Sequence, residues 1–251
     1  MITRIHHAAV AVQDLDEGLA FWRDTLELPL IRSADLPDHG VRAALLACGT
    51  GELEVLAPAT PDSGLARFLQ SRGEGLHHVC FESDDVGREV RRFIGIGVDM
   101  IDGKPRQGLA GKVAFVHPRA CARLLVELVT PSERASLPEA PLALSAVHGK
   151  VEDVRGAAQR FQDLFGMARG FAAEDASFVQ LSLAGLVLQL TPLGGGFPKP
   201  ALTALRVRTG DVPALVRRLE GRGVPCQEHA VELVVAPGPG RGAPLIVEPD
   251  R

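Results

Sequence analysis

Residues 4–12, RIHHAAVAV, form an apolar run with a His-His doublet inside it. Directly after it, DLDEGLAFWRDTLEL places Leu15, Leu19, Phe21, Trp22 and Leu26 on one stripe at helical spacing. The run predicts a strand, and the stretch predicts a helix that Asp14 caps. VRAALLACG and ELEVLAP then predict two strands joined by the turn Gly49-Thr50-Gly51, and residues 62–72 predict a short helical connector. From residue 76 the order starts again. A strand at 76–82 leads to a helix from Asp85 to about Ile96, with Val86, Val90 and Phe93 turned inward. Short strands follow near VDMI, KVAFV and RLLVELV. Each stretch reads βαβββ. Residues 130–141, TPSERASLPEAP, carry three prolines and predict a linker. A third unit runs from about Leu142 to Thr191 and a fourth from about Ala201 to the end, with PLGGGFPKP between them.

The repeat has a chemical signature. Asp14, Asp85, Asp153 and Asp211 are each followed by an aliphatic residue. Seven positions before the first two stand His7 and His78; seven before the last two stand Ala146 and Ala204. The unit ends repeat as well, since Glu54 stands four residues before Pro58 and Glu127 four before Pro131. The fold class is therefore α+β: four βαβββ units in two domains, residues 1–131 and 142–251. A lone histidine on a strand is more often a core residue, and a lone glutamate at a strand end is usually solvated. Four such residues recurring in register are different. Packed as pseudo-symmetric halves, the first two units bring His7, Glu54, His78 and Glu127 to one point. That is a ligand set for one divalent metal ion: Co, Ni, Zn, Mn or Fe. Strand alternation turns His6 and His77 to the opposite face. In the second half the corresponding positions are Ala146, Leu188, Ala204 and Glu248, so that domain is expected to be a degenerate, metal-free copy.

A formal net charge of −4 leaves no electrostatic footprint for nucleic acid. No apolar run approaches the ~18 residues of a membrane span, and MITRIHH lacks the apolar core of a signal peptide. Cys48, Cys80, Cys121 and Cys226 form no CxxC pair and read as the reduced thiols of a cytoplasmic protein, each most simply a small buried apolar residue.

Four βαβββ units with this ligand placement resemble the vicinal oxygen chelate superfamily, which includes glyoxalase I, extradiol dioxygenases, bleomycin-resistance proteins and methylmalonyl-CoA epimerases. Residues 1–131 most resemble the epimerases, through HHAAVAVQDLD, DHGVRAALLACG, ELEVLAP, DSGLARFLQSRGEGLHHVCFE and GKVAFVHPRACARLLVEL. The resemblance implies an isomerase. A metal held by His7, Glu54, His78 and Glu127 would chelate the thioester oxygen and carboxylate of a 2-methylmalonyl group and stabilise an enolate. It gives Glu127 a catalytic share in proton transfer, and it implies a small-molecule substrate, an acyl-CoA thioester, with the chain a monomeric pseudo-dimer or a homodimer. Some relatives carry a second catalytic Glu three residues after the Gly of a Gly-Val pair; here that Gly is Gly40 and the position holds Ala43. A glyoxalase I-like lactoylglutathione lyase would use the same four ligands. A binding protein of the bleomycin-resistance kind would need a cavity but no metal. An extradiol dioxygenase would hold iron through histidines of the second domain, where Ala146 and Ala204 stand instead.

Overall fold

The computed structural model describes residues 1–133, 136–173, 177–229 and 232–250. Two eight-stranded sheets follow the sequence repeat. The first contains β1 (Ile2–Ala11), β2 (Leu30–Leu36), β3 (Val41–Cys48), β4 (Gly51–Pro58), β5 (Gly75–Ser83), β6 (Arg106–Gln107), β7 (Gly111–Val116) and β8 (Val126–Pro131). Their order is β2-β3-β4-β1-β5-β8-β7-β6. The second contains β9 (Ala143–Val151), β10 (Ala168–Ala172), β11 (Val179–Leu183), β12 (Leu186–Pro192), β13 (Ala201–Thr209), β14 (Cys226–His229), β15 (Glu232–Val235) and β16 (Leu245–Pro249). Its order, β10-β11-β12-β9-β13-β16-β15-β14, is the same path shifted by eight strands. The architecture is α+β, as the repeat requires. Two residues of the expected linker, 134 and 135, lie outside the described residues.

Among the described residues, five α-helices accompany the sheets: α1 (Leu15–Leu19), the connector α2 (Gly64–Arg72), α3 (Val86–Gly95), α4 (Val154–Phe165) and α5 (Val212–Gly221). The recurring aspartates open four of them. Asp14 accepts from the N–H groups of Asp16 and Glu17, Asp85 from Arg88, Asp153 from Gly156 and Asp211 from Ala214. Each carboxylate thus satisfies first-turn donors that have no partner within the helix. Asp153→Ala should cost about 1 kcal/mol of stability through α4; a denaturation midpoint that does not move would show that the cap carries no weight.

The local structure departs from the sequence reading in four places. The first helix does not continue regularly to Leu26. It widens into a π-helical turn over Ala20–Thr25, where Leu26 N–H donates to the Phe21 carbonyl. Strand β2 did not stand out in the sequence because, at the sheet edge, only half-buried and exposed positions alternate along it. The stretch VDMI forms a single bridge, Met100 to Val116, rather than a strand, and RLLVELV becomes extended only from Val126.

Contacts divide the chain into two compact units. The first comprises Met1–Ala8, His78–Ala135 and Ala146–Thr203. Its core is aromatic. Phe165 of α4 stacks on Phe81 of β5 at 4.5 Å between ring centroids and 14° between planes, and Phe93 of α3 meets Phe165 edge-on at 5.7 Å. Arg92 ties the same elements by donating to the Leu164 carbonyl at 2.7 Å, a last-turn acceptor of α4. The second unit comprises Ala9–His77, Ser136–Ser145 and Ala204–Arg251. Here Glu74 joins distant loops, accepting from Gln13 N–H at 2.7 Å and Gly240 N–H at 2.9 Å. Gly240 has φ +71° and lies against Glu17, where an added Cβ would come 2.7 Å from the Glu17 carbonyl oxygen. Only glycine fits there. Among the described residues no helix is long and apolar enough to cross a membrane.

Candidate metal centre

His7 lies on β1 and His78 on β5, and their Nε2 atoms are 3.2 Å apart. Strand β8 pairs in parallel with β5, setting Glu127 beside Cys80, two residues beyond His78 and on the same face. The Glu127 Oε2 atom is 3.3 Å from His7 Nε2 and 3.6 Å from His78 Nε2. All three side chains are buried. Phe115, opposite Glu127 on β7, meets the His78 ring edge-on at 5.3 Å and fixes its plane. Burial would raise the Glu127 carboxyl. The His78 and His7 rings outweigh it and hold the group well below the usual carboxylate range.

Donor atoms of His7, Cys80 and Glu127 all lie within 4.8 Å of one another. A divalent ion with bonds of about 2.1 Å sets neighbouring donors roughly 3.0–3.4 Å apart. The observed separations of 3.2, 3.3 and 3.6 Å fit a shared cation with little adjustment. Imidazole and carboxylate donors of this kind take Zn, Co, Ni, Fe or Mn.

His6 differs from the sequence expectation. It is buried, and its Nδ1 is 2.9 Å from the Nδ1 of His7. With a neutral His6 accepting from His7 Nδ1–H, the His7 Nε2 lone pair is directed at His78 and Glu127; such outer partners orient metal ligands. Burial, then the neighbouring His7, lowers His6 to about 2. In the unfolded chain it would take a proton near the ordinary histidine value, so the unfolded state binds more protons below that pH. The metal-free protein should therefore lose about 1.4 kcal/mol of stability per pH unit on acidification below roughly 6.5. His6→Phe should flatten that slope in denaturant titrations; an unchanged slope would exclude His6 as its source. The His77 ring meets Phe68 edge-on at 4.9 Å.

The corresponding place in the second sheet is chemically different. Register corrects one equivalence. Glu127 pairs with the residue two beyond His78, whereas the residue two beyond Ala204 is Arg206, paired with Ile246. Glu248 pairs with Arg208 and is not the counterpart of Glu127. Its carboxylate is 3.2 Å from both Arg206 Nη1 and Arg208 Nε, and accepts from Ser145 at 3.4 Å. Ala146, Leu188 and Ala204 are buried. The counterparts of these residues are thus apolar, and Glu248 is neutralised by two guanidinium groups.

The family model for the glyoxalase/bleomycin resistance protein/dioxygenase superfamily matches residues 6–115. An ethylmalonyl-CoA/methylmalonyl-CoA epimerase of Cereibacter sphaeroides is 36% identical over 131 residues, covering 51% of this chain and 98% of that protein. A methylmalonyl-CoA epimerase of Streptomyces coelicolor, solved in complex with 2-nitronate-propionyl-CoA, is 33% identical, with a TM-score of 0.51 over 54% of this chain and 99% of that one. These likenesses concern the N-terminal half. A variant of 4-hydroxymandelate synthase from Streptomyces coelicolor follows 99% of this chain with a TM-score of 0.73 and covers 92% of its own, at 18% identity, a likeness of fold alone. The chain belongs to the glyoxalase/bleomycin resistance protein/dioxygenase superfamily, whose fold is the vicinal oxygen chelate arrangement of paired βαβββ units.

Proposed function

We propose that this chain is a metal-dependent isomerase that epimerises methylmalonyl-CoA or a close acyl-CoA relative. Residues 1–131 form the metal-binding domain and 142–251 a metal-free copy. The observation that carries the reading is the meeting of buried His7, His78 and Glu127 in the half of the chain that is 36% identical to an acyl-CoA epimerase. His7, Glu54, His78 and Glu127 would hold the divalent ion. When bound, it would supply Lewis-acid polarisation of the thioester and carboxylate oxygens, making the proton between them acidic. The depressed proton affinity of Glu127 keeps it ionised, the form that can accept this proton. Burial of the cluster excludes bulk water and strengthens its electrostatics. His6 holds the His7 ring. The four cysteines are free thiols, in keeping with a reducing compartment, the cytoplasm.

The test is metal content followed by activity. Protein purified without added metal should contain one divalent ion per chain and interconvert the epimers of methylmalonyl-CoA. Turnover of the hemithioacetal of glutathione and methylglyoxal instead would assign a glyoxalase I-like lyase to the same ligands. Metal-free protein that binds small molecules without turnover would leave a binding module.

A further inference from the structure

Cys80 is unused by the chemistry above, yet it lies inside the cluster. It pairs with Glu127 across β5 and β8, so both side chains rise on one face. Its sulfur, a His7 nitrogen and a Glu127 oxygen all lie within 4.8 Å of one another. Val113 and Val129, with the half-buried Ala110, pack against it, and its S–H is directed at the Phe81 carbonyl at 4.0 Å. Packing with those residues would be met equally by alanine or valine. A sulfur next to two donors of the same centre is placed to serve as a third.

Resting on the metal-centre reading, we propose that Cys80 is a metal ligand, and that its thiolate makes the centre prefer soft divalent ions. His7 and Glu127 would then serve two overlapping donor sets. Hard ions such as manganese use imidazole and carboxylate, with the Cys80 thiol left protonated. Softer ions such as zinc, cobalt or cadmium add the sulfur. On binding a soft ion the S–H bond breaks, its proton leaves to solvent, and a sulfur lone pair forms the new bond. The apolar wall of Val113 and Val129 keeps water from competing for that position.

Cobalt(II) reports directly on the sulfur. Full-length protein loaded with cobalt should show visible ligand-field bands together with a near-ultraviolet thiolate-to-cobalt charge-transfer band. Cys80→Ser should lose the charge-transfer band and keep the visible bands, while Cys121→Ser, a change at another buried thiol, should keep both. In competition between cadmium and manganese, Cys80→Ser should lower the preference for cadmium at least about tenfold, the size typical even of outer-sphere partners. Visible bands without the charge-transfer band in the unmutated protein would overturn the sulfur ligand and leave the imidazole–carboxylate centre standing. Folded protein that takes up no cobalt would overturn the centre itself and this proposal with it. The unmutated spectrum decides even if the variant does not fold.

Discussion

Protein carrying His78→Ala should leave purification without its divalent ion and with no measurable epimerisation. His78 stands 3.2 Å from His7 and 3.6 Å from Glu127, so its loss would remove a proposed ligand and one of the two rings that hold the Glu127 carboxyl low. Activity should fall by at least the ~10²–10⁴-fold that one positioned catalytic group contributes. Two neighbours grade the result. His6→Ala removes the 2.9 Å contact that orients His7, and should weaken metal affinity about 10–100-fold. His77→Ala, whose ring meets Phe68 instead, should leave the ion bound. Equal metal loss from His77→Ala and His78→Ala, measured by elemental analysis, would overturn the assigned register.

Run in D2O, the enzyme should wash deuterium into methylmalonyl-CoA faster than it interconverts the epimers. Inversion needs a proton removed from one face of the carbon and delivered to the other. On the proposed reading Glu127 would serve one face. Ala43, where some relatives carry the second acid, is fully buried on β3 between Ala34 and Leu56 and has no proton to give. Arg42 does not substitute: its half-exposed side chain reaches Asp35 at 3.5 Å. Delivery to the second face then falls to water or to a residue such as the half-buried His39 in the preceding loop. Without a positioned acid, inversion should lag exchange by a factor within roughly 10²–10⁴, and Ala43→Glu should narrow that gap. If the metal-loaded protein neither exchanges the proton nor inverts the centre, the epimerase assignment is wrong. The unmutated ratio decides this even if a carboxylate at position 43 destabilises the fold.

Much of this architecture was legible in the chain because one unit is written four times. The aspartate caps, the helix phases and the strands carrying His7, Glu54 and His78 follow from local chemistry that each unit repeats. What the sequence hid was set by neighbours rather than by pattern. Strand β2 is an edge with little apolar alternation. The π turn at Ala20–Thr25 leaves the spacing of Leu15, Leu19 and Leu26 intact, so the pattern cannot reveal it. Alternation turned His6 away from His7, yet their ring nitrogens meet at 2.9 Å. Glu248 looked like the partner of Glu127 because it is the only acid on β16; only the pairing of β13 with β16 shows that it stands two residues too far along. Cys80 read as a small core residue, and only its pairing with Glu127 gives it another meaning.

The stack of Phe165 on Phe81 bears on how the chain could be cut. Phe81 belongs to the half that carries the histidines, and Phe165 arrives on α4, beyond the proline-rich stretch at 130–141. A fragment ending at residue 131 keeps His7, Glu54, His78 and Glu127 but uncovers Phe81 and the Phe93 face that leans on Phe165. Such a fragment would seek cover from a second molecule at a rate set by concentration. The covalent connection removes that dependence, holding α4 at the millimolar effective concentration typical of a short tether. On this reading the second half of the chain would act as a built-in companion that keeps Phe81 and Phe93 covered at any dilution.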